Sequence, residues 1–271
     1  MSLQVRLKMQ TNVPVEVEGV TPDAVREMSL DDIQQLTAFH GNRKMALAEI
    51  FEVSGDPSDG QIDWHGDLSG VHWIGAKMSS GNVVVHGNAG RHVGSEMRGG
   101  KIEVKGNAGD WVGGEMKGGR IHVQGSAGHL VGAAYRGSSR GMSNGTILIR
   151  GGVGNELGHT MRRGLVVVGG DAGDLVGFNM LAGTILVLGN CGIRHGAGMR
   201  RGTIGLLGEE QPRLLPSFRF GCRYQPGVMT MLLRDVVRQG FEIPEELFAT
   251  AYDVYHGDLI EGGRGEILLR P

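Results

Sequence analysis

Histidines, cysteines, carboxylates and a set of arginines are the residues of this 271-residue chain whose types could carry chemistry. His86, His92, His122, His129, His159 and His195 share no HxxxH or HExxH spacing of the kind that places two ligands on one metal. His256 and Asp258 stand two apart, but no nucleophile is indicated for such a pair to activate. Cys191 and Cys222 are too few for a thiolate zinc site or a disulfide framework. Charged strand positions carry single charges (Glu103, Lys105, Arg150) where glycan chemistry needs carboxylates clustered across strands. Gly-x-Gly-x-x-Gly strings recur along the chain, whereas a phosphate-binding loop sits once, between a strand and a helix. The expectation is a chain with no catalytic residues, no metal site and no nucleotide site of its own.

One basic pattern stands out. A recurring column, Met78, Met97, Met116, Tyr135, Met161, Met180 and Met199, is followed by Ser79, Arg98, Lys117, Arg136, Arg162, Leu181 and Arg200. Arg163 and Arg201 double the charge at two of these positions. If the turns stack, Arg98, Lys117, Arg136, Arg162, Arg163, Arg200 and Arg201 form a positive stripe. Like charges so close repel unless an anion or acidic partner lies against them. The competing reading is a solvated corner whose arginines are screened by salt.

The stacking follows from an internal repeat. The segments GNAGRHVGSEMRGG from Gly87, GNAGDWVGGEMKGG from Gly106 and GSAGHLVGAAYRG from Gly125 align at 19 residues. The series Gly75, Gly94, Gly113, Gly132, Gly158, Gly177, Gly196 keeps that step except once, where it is 26 and includes the extra segment Ser138–Asn144. Each unit opens with a short alternating strand such as Ile102–Val104 or Ile121–Val123, with aliphatic first and third residues. Glycine, 49 of 271 residues, serves the corners, where positive φ and close approach of neighbouring turns are needed. The fold class implied is mainly β: a right-handed parallel β-helix of about seven turns over residues 62–208. A left-handed hexapeptide coil is disfavoured because the six-residue sub-period is missing.

The flanks are expected to be small mixed α/β caps over residues 1–61 and 209–271, closing the unpaired ends of the coil. They include a helix over Ser29–Ala38, a second over Val228–Gln239 ending at Gly240, and a short one from Pro244. A net charge of −2 gives no field for nucleic acid, and no apolar run spans a membrane or makes a signal peptide. These features imply a cytoplasmic protein.

With repeat and flanks together, the sequence resembles the C-type subunit of formylmethanofuran dehydrogenase, which is shared with the bacterial formyltransferase/hydrolase complex. The resemblance rests on FHGNRKMALAEIFEVSG from Phe39, the GNAGxxVGxxMxGG repeats and YHGDLIEGGRGEILL from Tyr255. The repeat is also similar to the C-terminal β-helix domain of glutamate synthase. The resemblance implies a non-catalytic scaffold within a one-carbon complex. There a furan cofactor (methanofuran or methylofuran) carries the formyl group between a formyltransferase subunit and an amidohydrolase-like subunit, beside a homologue of the B-type subunit. In that setting the stacked basic stripe is expected to hold an acidic partner or the acidic tail of that cofactor, and the extra segment, as a loop pushed out of a stacked repeat, is expected to contact another subunit. With 21 arginines against 6 lysines, a mesophilic bacterial complex is favoured over a tungsten or molybdenum dehydrogenase. An independent β-helix enzyme is the alternative of another class.

Overall fold

The computed structural model describes residues 2–9 and 11–271; Met1 and Gln10, within the expected N-terminal cap, lie outside the described residues. The N-terminal part contains β1 (Leu3–Leu7), β2 (Val15–Glu16), α1 (Pro22–Val25), α2 (Leu30–Gln34), β3 (Thr37–His40), β4 (Arg43–Ala46), α3 (Leu47–Ile50) and β5 (Phe51–Ser54). The repeat supplies β6 (Gln61–His65), the short β7 (Val71–His72), β8 (Asn82–Val85), β9 (Lys101–Val104), β10 (Arg120–Val123), β11 (Thr146–Ile149), β12 (Leu165–Val168), β13 (Thr184–Val187) and β14 (Arg201–Leu206). Then come β15 (Arg219–Tyr224), α4 (Gly227–Arg238), β16 (Tyr252–Gly257) and β17 (Arg264–Leu269).

The result is mainly β, with one large and mostly parallel sheet. β6 and β8 to β14 run parallel, each in register with the next, so that Ile62, Val83, Ile102, Ile121, Ile147, Val166, Ile185 and Ile204 form one row. That register puts the first and third aliphatic residues of each strand on the buried face, as the alternation predicts. A second run of parallel bridges joins Leu68, Ala89, Ala108 and Ala127, and a third joins Val153, Ala172 and Cys191. Successive units therefore pair along more than one side. Cys191 is half-buried there, and burial pushes its thiol up to about 12.

Seven methionines occupy the interior ladder, but Met142, not Tyr135, is the fourth. Met78, Met97, Met116, Met142, Met161, Met180 and Met199 are all fully buried. A Cβ built on Gly119 would lie 2.5 Å from the Met97 Cε, and one on Gly164 would lie 2.6 Å from the Met142 Cε. Both glycines also hold φ near +86° and +105°, so contact and backbone alike exclude a side chain. The seven extra residues are thus 135–141, three positions earlier than the glycine spacing suggested. Alignment on Gly132 alone could not separate two equally spaced candidates. Burial does, because Tyr135 leaves the core to pack on an aromatic column.

Polar side chains stitch the corners. Asn88 accepts from the Asn107 N–H (2.9 Å), Asn107 from Ser126 (2.8 Å), and Asp171 from Asn190 (2.8 Å). A second column does the same: His72 Nδ1 accepts from the Arg91 N–H and Asp110 from the His129 N–H. His72 is thereby a corner acceptor, and His129 is another, its Nδ1 taking the Asn155 N–H (2.9 Å).

Both ends of the parallel run are extended by the flanks. β1 pairs parallel with β6 and antiparallel with β5. β17 pairs parallel with β14, then β16 and β15 follow antiparallel. Helix α2 is shorter than the expected 29–38 helix: Ser29 caps it through the Asp32 N–H, but the chain leaves at Gln35 so that Thr37–His40 can pair with β2 and β4. Helix α4 matches its expected bounds within a residue and stops before Gly240, at φ +84°. Its Met229, Leu233 and Val236 pack on Leu148, Val167 and Leu186, the middle residues of β11 to β13. In β6 and β8 to β10 that middle position is Asp63, Val84, Glu103 and His122, and α4 does not cover it.

Candidate functional site

Backbone hydrogen bonds define the basic corner. The N–H groups of Arg98, Lys117, Ser143, Arg162, Leu181 and Arg200 donate to the carbonyls of Met78, Met97, Met116, Met142, Met161 and Met180. Ser143 takes the position assigned to Arg136 on sequence spacing. Arg136 instead lies exposed on the inserted segment.

Four of the predicted arginines come together. Arg162, Arg163, Arg200 and Arg201 line a cavity of about 450 Å³, with Leu181 and Ala182 between them. Two arginines that sequence reasoning missed complete it: Arg140 from the insertion and Arg264 from β17. Arg264 stands directly beside Arg201 in the parallel pairing. The signal was present in the sequence, since RGEILL at the C-terminus resembles the RGTIGLL that opens the last repeat strand. Arg140 also borders an adjoining cavity with Lys117, Ser143 and Arg162, and another with Thr160, Asn179 and Arg200. The three concavities form one groove along the corner. Arg98 and Arg136 line none of them.

Fixed acids compensate only part of this charge. Lys117 pairs with Glu96 at 3.4 Å and Arg200 with Glu261 at 3.4 Å, both largely solvated. Among the described residues Arg140, Arg162, Arg163, Arg201 and Arg264 make no ion pair. Guanidinium forks of this kind suit carboxylate or phosphate oxygens, two at a time.

Other titratable groups have structural partners. Burial pushes the Asp63 carboxyl up, but hydrogen bonds from Ser2, Gln61 and His86 more than offset this and hold it below the usual range. His65 stacks on His86 with centroids 4.4 Å apart. Trp73, His92 and Trp111 stack in one column, and Tyr135 lies against all three. Burial lowers His92 to about 4 and raises the Tyr135 phenol to about 12. Asp258 accepts the Gly198 N–H (3.0 Å) and the Ile260 N–H (3.1 Å), which makes it a cap for the turn at 259–261. No group of three or more His, Cys, Asp or Glu side chains is arranged to hold a metal ion among the described residues. No helix among them is long and apolar enough to cross a membrane.

The chain is similar to the C-type subunit of tungsten-containing formylmethanofuran dehydrogenase 2 from Methanothermobacter wolfeii, at 40% identity over 90 residues, 32% of this chain and 33% of that protein. It is 42% identical over 84 residues to the C-type subunit of molybdenum-containing formylmethanofuran dehydrogenase 1 from Methanothermobacter thermautotrophicus, covering 31% of this chain and 21% of that one. These matches span a third or less of the length of the curated relatives. Among solved structures, a chain of the formyltransferase/hydrolase complex (FhcABCD) from Methylorubrum extorquens, crystallised in complex with methylofuran, superposes with a TM-score of 0.91 at 29% identity, over 99% of both chains. The GXGXG motif family model matches residues 72–214, more than half of this sequence, in the region of the stacked glycine-rich turns, and the chain belongs to that family.

Proposed function

We propose that this chain is a non-catalytic scaffold subunit of a formyltransferase/hydrolase complex, which converts formyl-tetrahydropterin to formate through a formylated furan cofactor. The observation that carries the reading is likeness over 99% of both chains to a component of such a complex, at a TM-score of 0.91. The similarity extends through both flanks, beyond what a shared repeat alone would give. In this reading the repeat is a right-handed parallel β-helix over residues 62–208, with caps at 1–61 and 209–271. Pairing along several sides of each unit supports the coil. The partners are a formyltransferase subunit, an amidohydrolase-like subunit and a homologue of the B-type subunit, and the cofactor of the complex is methylofuran. The basic residues at the corner, Arg162, Arg163, Arg200 and Arg201 with Lys117, receive an acidic partner or cofactor tail; Arg98 and Arg136 lie outside the groove.

A second reading, the C-type subunit of a tungsten or molybdenum formylmethanofuran dehydrogenase, is favoured by the curated relatives. Purifying the tagged chain from its own host separates the two. Co-elution with formyltransferase and hydrolase activity, without tungsten, molybdenum or iron–sulfur clusters, is the expected result. Co-elution with metal-pterin and iron–sulfur subunits would move the chain to the dehydrogenase. Elution alone, or turnover by the purified chain, would overturn the scaffold reading.

A further inference from the structure

The arginine groove has a neighbour of opposite character. Leu259 and Ile260 are 49% and 83% exposed on the short turn that Asp258 pins through two backbone N–H groups. The next residue, Glu261, forms part of the groove wall and pairs with Arg200. A rigidly held aliphatic pair thus adjoins a run of uncompensated guanidinium groups. A single exposed apolar residue is ordinary, but one fixed against a charged groove presents two chemistries side by side.

From Lys117 to Arg264 the groove crosses five steps of the stack, about 24 Å at ~4.8 Å per step. An extended polypeptide of roughly seven or eight residues covers that distance at ~3.3 Å per residue. A polyphosphate or nucleic-acid backbone would satisfy the arginines and leave Ile260 bare. A peptide segment carrying carboxylates and an aliphatic residue covers both. We infer that this groove docks an extended acidic segment of another polypeptide, with an aliphatic side chain of that segment seated on Leu259 and Ile260. The inference rests on the reading of the chain as a component of a hetero-oligomer and names the chemistry of one contact.

The test uses the full chain and fluorescein-labelled synthetic peptides, read by anisotropy. One peptide is eight glutamates, a second carries the same run with a Leu–Leu extension at either end, and octameric polyphosphate serves as competitor. The extended peptide is expected to bind about tenfold more tightly than the bare run, as burial of an aliphatic side chain implies. I260S, which removes the aliphatic surface without adding charge, should abolish that difference and leave the bare run unchanged. R162E/R163E should weaken both at least tenfold. All three altered positions are on the surface corner, and circular dichroism melting establishes that each variant is folded. Equal binding of both peptides and polyphosphate, indifferent to I260S, would make the groove a site for polyanions such as a cofactor tail and overturn the polypeptide assignment. Absence of binding would overturn it as well. Because only the purified chain is used, these outcomes are independent of which subunits co-purify with it.

Discussion

Replacing Met142 by alanine tests the register on which the basic corner depends. Met142 is fully buried, and its methyl group fills the space a side chain on Gly164 would need. Truncating such a methionine removes apolar contact and leaves a cavity, a loss of about 2–5 kcal/mol. At ~2–4 °C per kcal/mol for a chain of this class of size, the melting temperature should fall by roughly 4–20 °C. Met231, 73% exposed on α4, provides the control, and its alanine variant should stay within about 0.5 kcal/mol. Tyr135→Ala should behave differently. The ring has centroid separations of 6.2, 5.6 and 6.2 Å to Trp73, His92 and Trp111. Those contacts hold the inserted segment in place, at about 0.5–1.5 kcal/mol for each aromatic pair. The tyrosine variant should therefore admit protease or hydrogen exchange at residues 136–141 before the repeat melts. Scanning calorimetry and limited proteolysis read the two effects separately. If Met142→Ala melted like wild type while Tyr135→Ala lowered the whole transition, the assigned ladder would be wrong and Arg136 would return to the stripe.

Three further outcomes follow. Leu233→Ala should cost about 2–5 kcal/mol, because Leu233 is the fully buried centre of the contact between α4 and the sheet; urea denaturation checks it, and a change below about 0.5 kcal/mol would show that the helix does not hold to that face. Asn107→Ala removes the acceptor for the Ser126 N–H (2.8 Å), and an expected loss of about 1 kcal/mol, with faster exchange of the Ser126 amide, is readable by NMR. His92 is held near 4 by burial against an ordinary value of 6.5, so the unfolded chain binds its proton first: stability is complete above pH 6.5 and declines as pH falls toward 4. Denaturation midpoints across that window should fall, and less steeply in His92→Gln; an identical slope in the variant would dismiss His92 as a source.

Much of the fold could be read from the sequence because stacking repeats one demand many times. Each aliphatic pair such as Ile102 and Val104 meets the same pair 19 residues on, and an error in one unit is corrected by the others. The exceptional unit lacked that redundancy: Tyr135 and Met142 both offered a bulky residue after Gly132, and only burial separates them. The short helix at 30–34 was overestimated because Thr37–His40 is claimed by strand partners distant in sequence. Arg264 was missed for a similar reason. Sixty-three residues separate it from Arg201, and only the parallel pairing of the last strand makes them neighbours. The covering of half the outer face, by contrast, is written in the middle strand residues, which change from the mostly polar Asp63, Val84, Glu103 and His122 to the apolar Leu148, Val167 and Leu186.

The stack itself does not require charge at the corner. The position after the ladder methionine holds Ser79, Ser143 and Leu181 in some turns and Arg98, Lys117, Arg162 and Arg200 in others, and from Arg98 onward each makes the same backbone hydrogen bond to the preceding unit. Arg162 and Arg200 stand two units apart, about 9.6 Å along the stack. At that separation a like-charge pair costs ~0.4 kcal/mol in water and ~1.7 kcal/mol at an effective dielectric of ~20. Arg163, Arg201, Arg140 and Arg264 add further repulsions around the same cavity. Serine or leucine would remove this cost without disturbing the turn. The repeat alone therefore does not account for six arginines around one cavity, which is why the proposed docking is placed at this groove rather than on the repeated core.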